Sequence, residues 1–280
     1  MMRNARQPER SPEQGRLHQV DQAQGLRRMF ASRVVRLVPV VANPTAGCGG
    51  KVLERLCSAY TGFGLHTLVV DASPQAREPG ELVAFDLAEG IERLSDLVSY
   101  MPARGLPLRH VDAKGSCATL LDALAEAAPQ ADVILVHATA SETVRLFAER
   151  ARGQHVVPLV YSRDRAESLR DAYAAVKLLG QRGGWPTYDL LVCAPEASPL
   201  ADEIAHRLSQ CADAFLGMAQ RSTVRLDANE PAEVEPTGRL QELAATLLRG
   251  ALQHALSDAA FDHLMSPGAA LPTCATPAIN

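Results

Sequence analysis

The sequence has little of what marks membrane, secreted or nucleic-acid-binding proteins. No stretch approaches the roughly 18 apolar residues of a membrane-spanning helix, and residues 1–20 contain no apolar signal-peptide core. The six cysteines form no C-x-x-C pair, which argues against a zinc site or a disulfide framework. A net charge of −4 gives no general attraction to nucleic acid. These absences predict a cytoplasmic protein without a metal site or a nucleic-acid partner.

Aromatic residues are also scarce, at 4% of the chain, although hydrophobic residues make up 47%. The core must therefore consist mainly of Ala, Val and Leu, which favours helices stacked on parallel strands. A chain of 280 residues is long enough to bury one sizeable core. Composition and length together predict one α/β domain with tails.

Short apolar runs alternate with amphipathic helical patterns from residue 34 onward. Seven runs are strand candidates: 34–41, 66–71, 106–112, 132–138, 156–162, 188–194 and 222–227. Helical patterns follow each of them, including 90–100 after the second run and 240–264 after the last. This order predicts an α/β fold with a mostly parallel sheet of about seven strands and helices on both faces.

The composition changes at both ends of this alternating region. Residues 1–19 and 266–280 are polar or loop-like and are predicted to be disordered tails. Between the first tail and the first strand, residues 20–31 contain apolar positions at helical spacing and predict a short helix. The α/β domain is then predicted to extend over residues 32–265.

The loop after the first strand, N-P-T-A-G-C-G-G-K-V at 43–52, has part of the pattern of a phosphate-binding loop. In such loops glycines let backbone amides surround the phosphates, a Lys neutralises them, and a Ser or Thr hydroxyl holds Mg²⁺. Gly47, Gly50 and Lys51 fit this pattern, but Val52 stands at the hydroxyl position and has no oxygen. The alternative interpretation is a glycine turn that ends in a solvated Lys.

Two further stretches resemble a known family. D-Q-A-Q-G-L-R-R-M-F at 21–30 and R-D-A-Y-A-A-V-K-L-L-G at 170–180 resemble motifs of the MinD/ParA-type P-loop ATPases, in the branch of the flagellar number regulator FlhG (FleN). The likeness covers roughly residues 20–220. It implies a MinD-like P-loop fold and a role in flagellar number and placement. It also implies that Asp71 joins Gly47, Gly50 and Lys51 at a nucleotide site.

The sequence departs from that family at four working positions. A signature Lys is replaced by Ala46, a second carboxylate by Ser73, a metal-supporting Asp by His137, and an adenine-reading Asn by Cys193. Together these replacements affect the neutralisation of phosphate charge, the positioning of the attacking water, the binding of the metal and the recognition of adenine. Because such losses remove transition-state stabilisation, efficient ATP hydrolysis is not expected. We therefore assign no catalytic residue, and ATP is the one candidate cofactor, held without efficient turnover.

The resemblance also implies a partner, a flagellar GTPase of the signal-recognition type (FlhF-like). Six residues of the first helix match the family motif and would contact it: Asp21, Gln22, Ala23, Gly25, Leu26 and Arg27. An alternative is that this helix only packs on its own domain. Two other functions stay open, an active MinD-like ATPase switch with nucleotide-dependent dimerisation and an antiactivator of a flagellar transcription regulator.

The predicted helix at 240–264 has an apolar side, formed by Leu243, Leu247, Leu248, Ala251, Leu252 and Ala255. In MinD relatives a helix near this end targets the membrane. The polar side here lacks the Lys and Arg expected for anionic lipid. We therefore expect packing against protein, and only weak peripheral association with the inner membrane or the cell pole.

Overall fold

The computed structural model describes residues 33–231 and 234–256. The predicted tails at 1–19 and 266–280 and the predicted helix at 20–31 lie outside this range. The predicted domain bounds of 32–265 extend beyond it and stay a prediction. Residues Val34–Leu256 form one unit with its own core.

Nine strands form one sheet within the described residues. They are β1 (Val34–Val41), β2 (Thr67–Asp71), β3 (Glu92–Arg93), β4 (Val98–Pro102), β5 (Val133–Ala138), β6 (Leu159–Arg163), β7 (Thr187–Cys193), β8 (Ala219–Leu226) and β9 (Leu252–Ala255). The spatial order is β3-β4-β2-β5-β1-β6-β7-β8, and β9 pairs with β1. The strands from β4 to β8 in this order are parallel, whereas β3 and β9 are antiparallel to their neighbours. The predicted fold class is confirmed.

Helices cover both faces of the sheet. They are α1 (Gly49–Gly62), α2 (Leu106–Arg109), α3 (Ala118–Ala127), α4 (Ala140–Phe147), α5 (Ala166–Leu178), α6 (Leu200–Leu216) and α7 (Gly238–Arg249). Strand side chains alternate between faces, so Leu37 and Val41 of β1 pack in one core cluster and Val38 and Val40 in the other. The cluster around Val38 contains side chains of α1 and α7, and the opposite cluster contains those of α3 to α6.

One predicted strand and one predicted helix are wrong. Residues 106–112, predicted as a strand, begin with the short helix α2, because Gly105 turns the chain at φ 75° and Pro107 suits a first helical turn. The predicted helix at 90–100 instead contains β3 and the start of β4. Val98 and Tyr100 are good strand formers on a pleated surface, and pairing with β2 overrides the helical spacing of the residues before them.

The predicted last helix at 240–264 is also wrong in its extent. Helix α7 ends at Arg249, and after Gly250 the chain becomes β9, in which Leu252 pairs with Leu37 of β1. Leu252 and Ala255 therefore belong to a strand and not to the apolar side of a helix. Within the described part of the chain, no helix is long and apolar enough to cross a membrane.

Candidate functional site

The loop between β1 and α1 lies at the carboxyl edge of the sheet, where open α/β sheets bind ligands. Gly47, with φ 62°, bends this loop, and α1 begins at Gly49. Cys48 is the N-cap residue but makes no side-chain hydrogen bond to the helix. The first amides of α1 therefore lack a side-chain acceptor, which leaves a weak attraction for an anion. Gly50, Lys51 and Asp71 lie at the same edge, as the sequence predicts.

Asn43 and Thr45 fix this loop to the neighbouring strand and helix. The buried Asn43 amide donates to the Tyr161 carbonyl at 3.0 Å and to the Ser168 carbonyl at 2.9 Å. The Thr45 hydroxyl donates to the Asp171 carboxylate at 2.8 Å. These bonds cross more than a hundred residues of sequence, so the loop is held in place by the folded domain itself.

Four side chains form a row beneath the start of α1. They lie on the face toward α1, near the carboxyl ends of β2, β5, β6 and β7, and are Asp71, His137, Tyr161 and Cys193. The pleat places them on one face because each lies two residues beyond a core side chain of that face: Val69, Leu135, Leu159 and Leu191. The sequence analysis singled out three of the four and missed Tyr161. No sequence signal marks Tyr161, because only the strand order of the folded sheet places β6 beside β1.

Hydrogen bonds join three of these side chains into a chain. His137 Nδ1 lies 2.8 Å from Asp71 Oδ1, and His137 Nε2 lies 3.0 Å from the Tyr161 hydroxyl. His137 is 3% exposed and Tyr161 is 2% exposed. An ionised Asp71 only accepts, so His137 Nδ1 donates to it. The direction of the second bond, between Nε2 and the Tyr161 hydroxyl, follows from the protonation of the imidazole: a neutral ring accepts there and a charged ring donates.

This hydrogen-bonded chain fills the space directly under the loop. A Cβ built on Gly49 would lie 2.6 Å from the Tyr161 hydroxyl oxygen and 3.1 Å from His137 Cε1. Glycine is thus required at position 49 because side chains approach it closely. The next residue, Gly50, has nothing within 4 Å of the equivalent position.

Two of these groups have displaced pKa values. Burial would raise the pKa of Asp71, but the hydrogen bonds and charge of His137 and the bonds from Ser73 outweigh it, so the pKa lies below 3.8. Burial raises the pKa of the Tyr161 phenol well above its ordinary value. Near neutral pH the hydrogen-bonded chain therefore contains an ionised carboxylate at one end and a protonated phenol at the other.

Cys48 and Cys193 form a second contact below the loop. The hydrogen bond from Cys193 lowers the pKa of the Cys48 thiol, whereas that same bond and burial raise the pKa of Cys193. Both thiols are buried and reduced. Their polar capacity is used on each other, so Cys193 does not offer the pair of bonds by which an amide would recognise a base.

The residues present do not fit a metal-bound triphosphate. Val52 is fully buried in the apolar cluster and Ala46 is 1% exposed. The Lys51 ammonium bonds to Glu54 at 2.9 Å on its own helix. Residues 33–231 and 234–256 contain no group of three or more His, Cys, Asp or Glu side chains arranged to hold a metal ion. What remains is the start of α1, which has no side-chain cap, and the Tyr161 hydroxyl lies directly beneath it.

A separate cavity lies beside this loop. It has a volume of about 680 Å³ and is lined by the ends of β7 and β8 and by side chains that include Arg55, Arg225, Asp227 and Glu230. Arg55 is fully buried and donates to Glu230 at 2.8 Å. None of the predicted nucleotide-site residues lines the cavity. Most of its charged groups are also already paired with each other.

Comparison with protein-family profiles found no match, and comparison with curated proteins found none either. Solved structures do match. A plasmid partition protein from Borrelia burgdorferi B31 bound to AMPPNP aligns at 9% identity and a TM-score of 0.50, over 76% of this chain and 96% of that one. MinD from Aquifex aeolicus aligns at 12% identity and 0.49, over 76% and 97%. A ParA family ATPase from Chlorobium tepidum TLS aligns at 14% and 0.45, over 78% and 96%.

At these identities the likeness is one of fold. The chain has an α/β fold with a mostly parallel sheet flanked by helices, as ParA- and MinD-type P-loop ATPases have. Fold similarity alone does not transfer an activity, because function depends on the residues of the site. The assignment of Gly47, Gly50, Lys51 and Asp71 to a nucleotide site therefore stays a prediction.

The close approach at Gly49 gives a first prediction. Gly49→Ala should lower the free energy of unfolding by about 1–3 kcal/mol, because the new methyl group overpacks against Tyr161 and His137. Gly50→Ala, the matched control, should leave stability unchanged or raise it by up to about 1 kcal/mol through helix propensity. In a Tyr161→Phe background, the loss of unfolding free energy caused by Gly49→Ala should be smaller by about 1 kcal/mol. Urea unfolding measures all four variants, and equal effects at positions 49 and 50 would contradict the packing described.

The lowered pKa of Asp71 gives a second prediction. Because the folded-state value lies below 3.8, the stabilisation is fully present above about pH 4 and is lost as the pH falls through the folded value. Asp71→Asn should cost about 1–3 kcal/mol at pH 7. This difference from the wild type should narrow below pH 4 in urea unfolding series. A difference that is the same at pH 7 and pH 3 would show that the carboxylate charge is not what His137 and Ser73 stabilise.

Proposed function

We propose that this chain is a regulator built on a ParA/MinD-type fold that acts through protein–protein contacts and not through ATP turnover. The observation that carries the proposal is the Asp71–His137–Tyr161 hydrogen-bonded chain beneath Gly49. It occupies the space under the loop, while Val52 is fully buried and the Lys51 ammonium is bonded to Glu54. The chain would thus share the fold of these ATPases without the side-chain chemistry of their nucleotide pocket.

The sequence of the first predicted helix supports a specific role. Residues Asp21 to Arg27 match the D-Q-A-x-G-L-R motif of the FlhG branch at every fixed position. In that branch this segment stimulates a flagellar GTPase of the signal-recognition type. We therefore propose that the chain regulates flagellar number or placement, with the segment 20–31 as its contact to such a GTPase. This role does not require a working nucleotide site in the domain that carries the segment.

Exposed apolar side chains on the domain are consistent with a contact function. Leu82 is 63% exposed and Phe85 is 91% exposed. They lie three residues apart at the 3₁₀ turn Glu81–Ala84, a spacing that places side chains on the same side. Large apolar side chains exposed together are common at protein–protein interfaces. This turn precedes β3, the strand at the outer end of the sheet order.

A second candidate is a nucleotide-responsive switch that binds without efficient hydrolysis. The observation in its favour is the uncapped start of α1, where backbone amides remain available to an anion. The similar plasmid partition protein is bound to AMPPNP, which is a property of that protein. Under this candidate, nucleotide would change the contact surface without being consumed.

The partner contact is tested by stimulation of GTP hydrolysis. Purified full-length chain should accelerate GTP turnover by the FlhF-type GTPase of the same organism, and Gln22→Ala should reduce that stimulation at least about tenfold. The matched control is Gln24→Ala, since position 24 is the variable position of the motif. Circular dichroism would establish that both variants keep the fold. Equal stimulation by the wild type and by Gln22→Ala would refute the assigned contact, and so would an equal loss in both variants.

A further inference from the structure

A second concave site lies at the opposite edge of the sheet from the loop. Its volume is about 420 Å³, and it is lined by the turn after α4 and by residues 181–186, which lead into β7. Because β7 is parallel to β6 and β6 to β1, the amino end of β7 is remote from the carboxyl end of β1. This cavity is therefore independent of the candidate nucleotide site.

The polar side chains that line this cavity carry hydrogen-bond donors, and none of the lining residues is acidic. Arg152, Arg182 and His155 supply cationic or donating groups, and Gln154 and Gln181 supply amides. Neither guanidinium makes a hydrogen bond or an ion pair with another residue in the described part of the chain. Arg152 also borders a neighbouring cavity that Glu149 lines. Unpaired guanidinium groups facing a pocket favour a ligand with several anionic oxygens.

A buried indole forms part of the wall. Trp185 is 5% exposed, and its Nε1 has no hydrogen-bond partner among the described residues. Because Nε1 is itself buried, the donors open to a ligand are the exposed side chains of Arg152, His155 and Arg182. An anion is the acceptor that satisfies several of these groups at once.

The backbone next to Trp185 forms an irregular turn against which the indole packs. A π-helical turn, Leu179–Gly183, follows α5 and leads to Gly184 at φ 71°. A Cβ on Gly183 would lie 2.3 Å from Trp185 Cε3, so the indole packs directly on the glycine backbone. Single π turns inside helices often accompany functional sites, because they cost helix stability and are kept for the geometry that they provide.

We propose that this cavity, formed by Arg152, His155, Arg182 and Trp185, binds a small phosphate-bearing molecule. Planar guanidinium groups bind phosphate oxygens in pairs, and the exposed His155 imidazole adds a further polar group. A volume of about 420 Å³ exceeds the needs of an inorganic ion and lies in the range of small-molecule pockets. The ligand is thus a phosphorylated compound about as large as a mononucleotide, held with its phosphate toward the arginines.

The sequence supplies a direct probe, because Trp185 is the only tryptophan of the chain. Titration of the full chain with AMP, and separately with inorganic pyrophosphate, is followed by tryptophan emission at constant ionic strength and without Mg²⁺. We expect a saturable change in emission with at least one of the two compounds. The double variant Arg152→Gln/Arg182→Gln should weaken the apparent affinity at least about tenfold. Both arginines are exposed, so the variant should fold normally.

The matched control removes the same charge elsewhere. Arg93→Gln/Arg207→Gln neutralises two exposed arginines that pair with Asp96 and Glu203, and it should titrate like the wild type. Three results would overturn the proposal: no saturable change with either compound, an unchanged response in the Arg152/Arg182 variant, or an equal loss in the control variant. A response to an acidic peptide but to neither phosphate compound would also overturn it.

Discussion

The hydrogen-bonded chain Asp71–His137–Tyr161 is the constraint on which the carboxyl edge of the sheet depends. It links the ends of β2, β5 and β6, and β5 and β6 are the two strands that flank β1. Side chains near the carboxyl ends of these strands therefore lie close together beneath the loop that follows β1. In this chain an imidazole and a phenol fill that position, and Gly49 is packed against them.

In this fold, the position of the loop and the chemistry of its side chains are therefore separate properties. The loop is anchored by bonds from Asn43 to β6 and α5 and from Thr45 to α5. The side chains at the loop are apolar, as Ala46 and Val52 are, or bonded within the protein, as Lys51 is to Glu54. The surfaces of one fold can serve as binding platforms whatever the chemistry of its pocket.

The sequence predicted most of the architecture because period-two and helical patterns dominate its central strands and long helices. It failed at 90–112, where β4 is short and Gly105 and Pro107 begin a helical turn, and near Arg249, where β9 continues an apolar pattern of helical spacing. At the site, motif spacing located the loop, Asp71 and His137. It could not find Tyr161, because only the strand order places β6 on the other side of β1 from β5. The second cavity was likewise inaccessible, since it depends on the π turn before Trp185.

Phosphate release from ATP, measured on purified full-length chain with Mg²⁺ and with Lys51→Ala as the reference, shows whether the loop after β1 can handle a metal-bound triphosphate. The expectation is that the wild type releases phosphate no faster than Lys51→Ala. Sustained turnover that Lys51→Ala abolishes would contradict it, because the loop would then be performing the chemistry that the His137 and Tyr161 side chains are inferred to prevent.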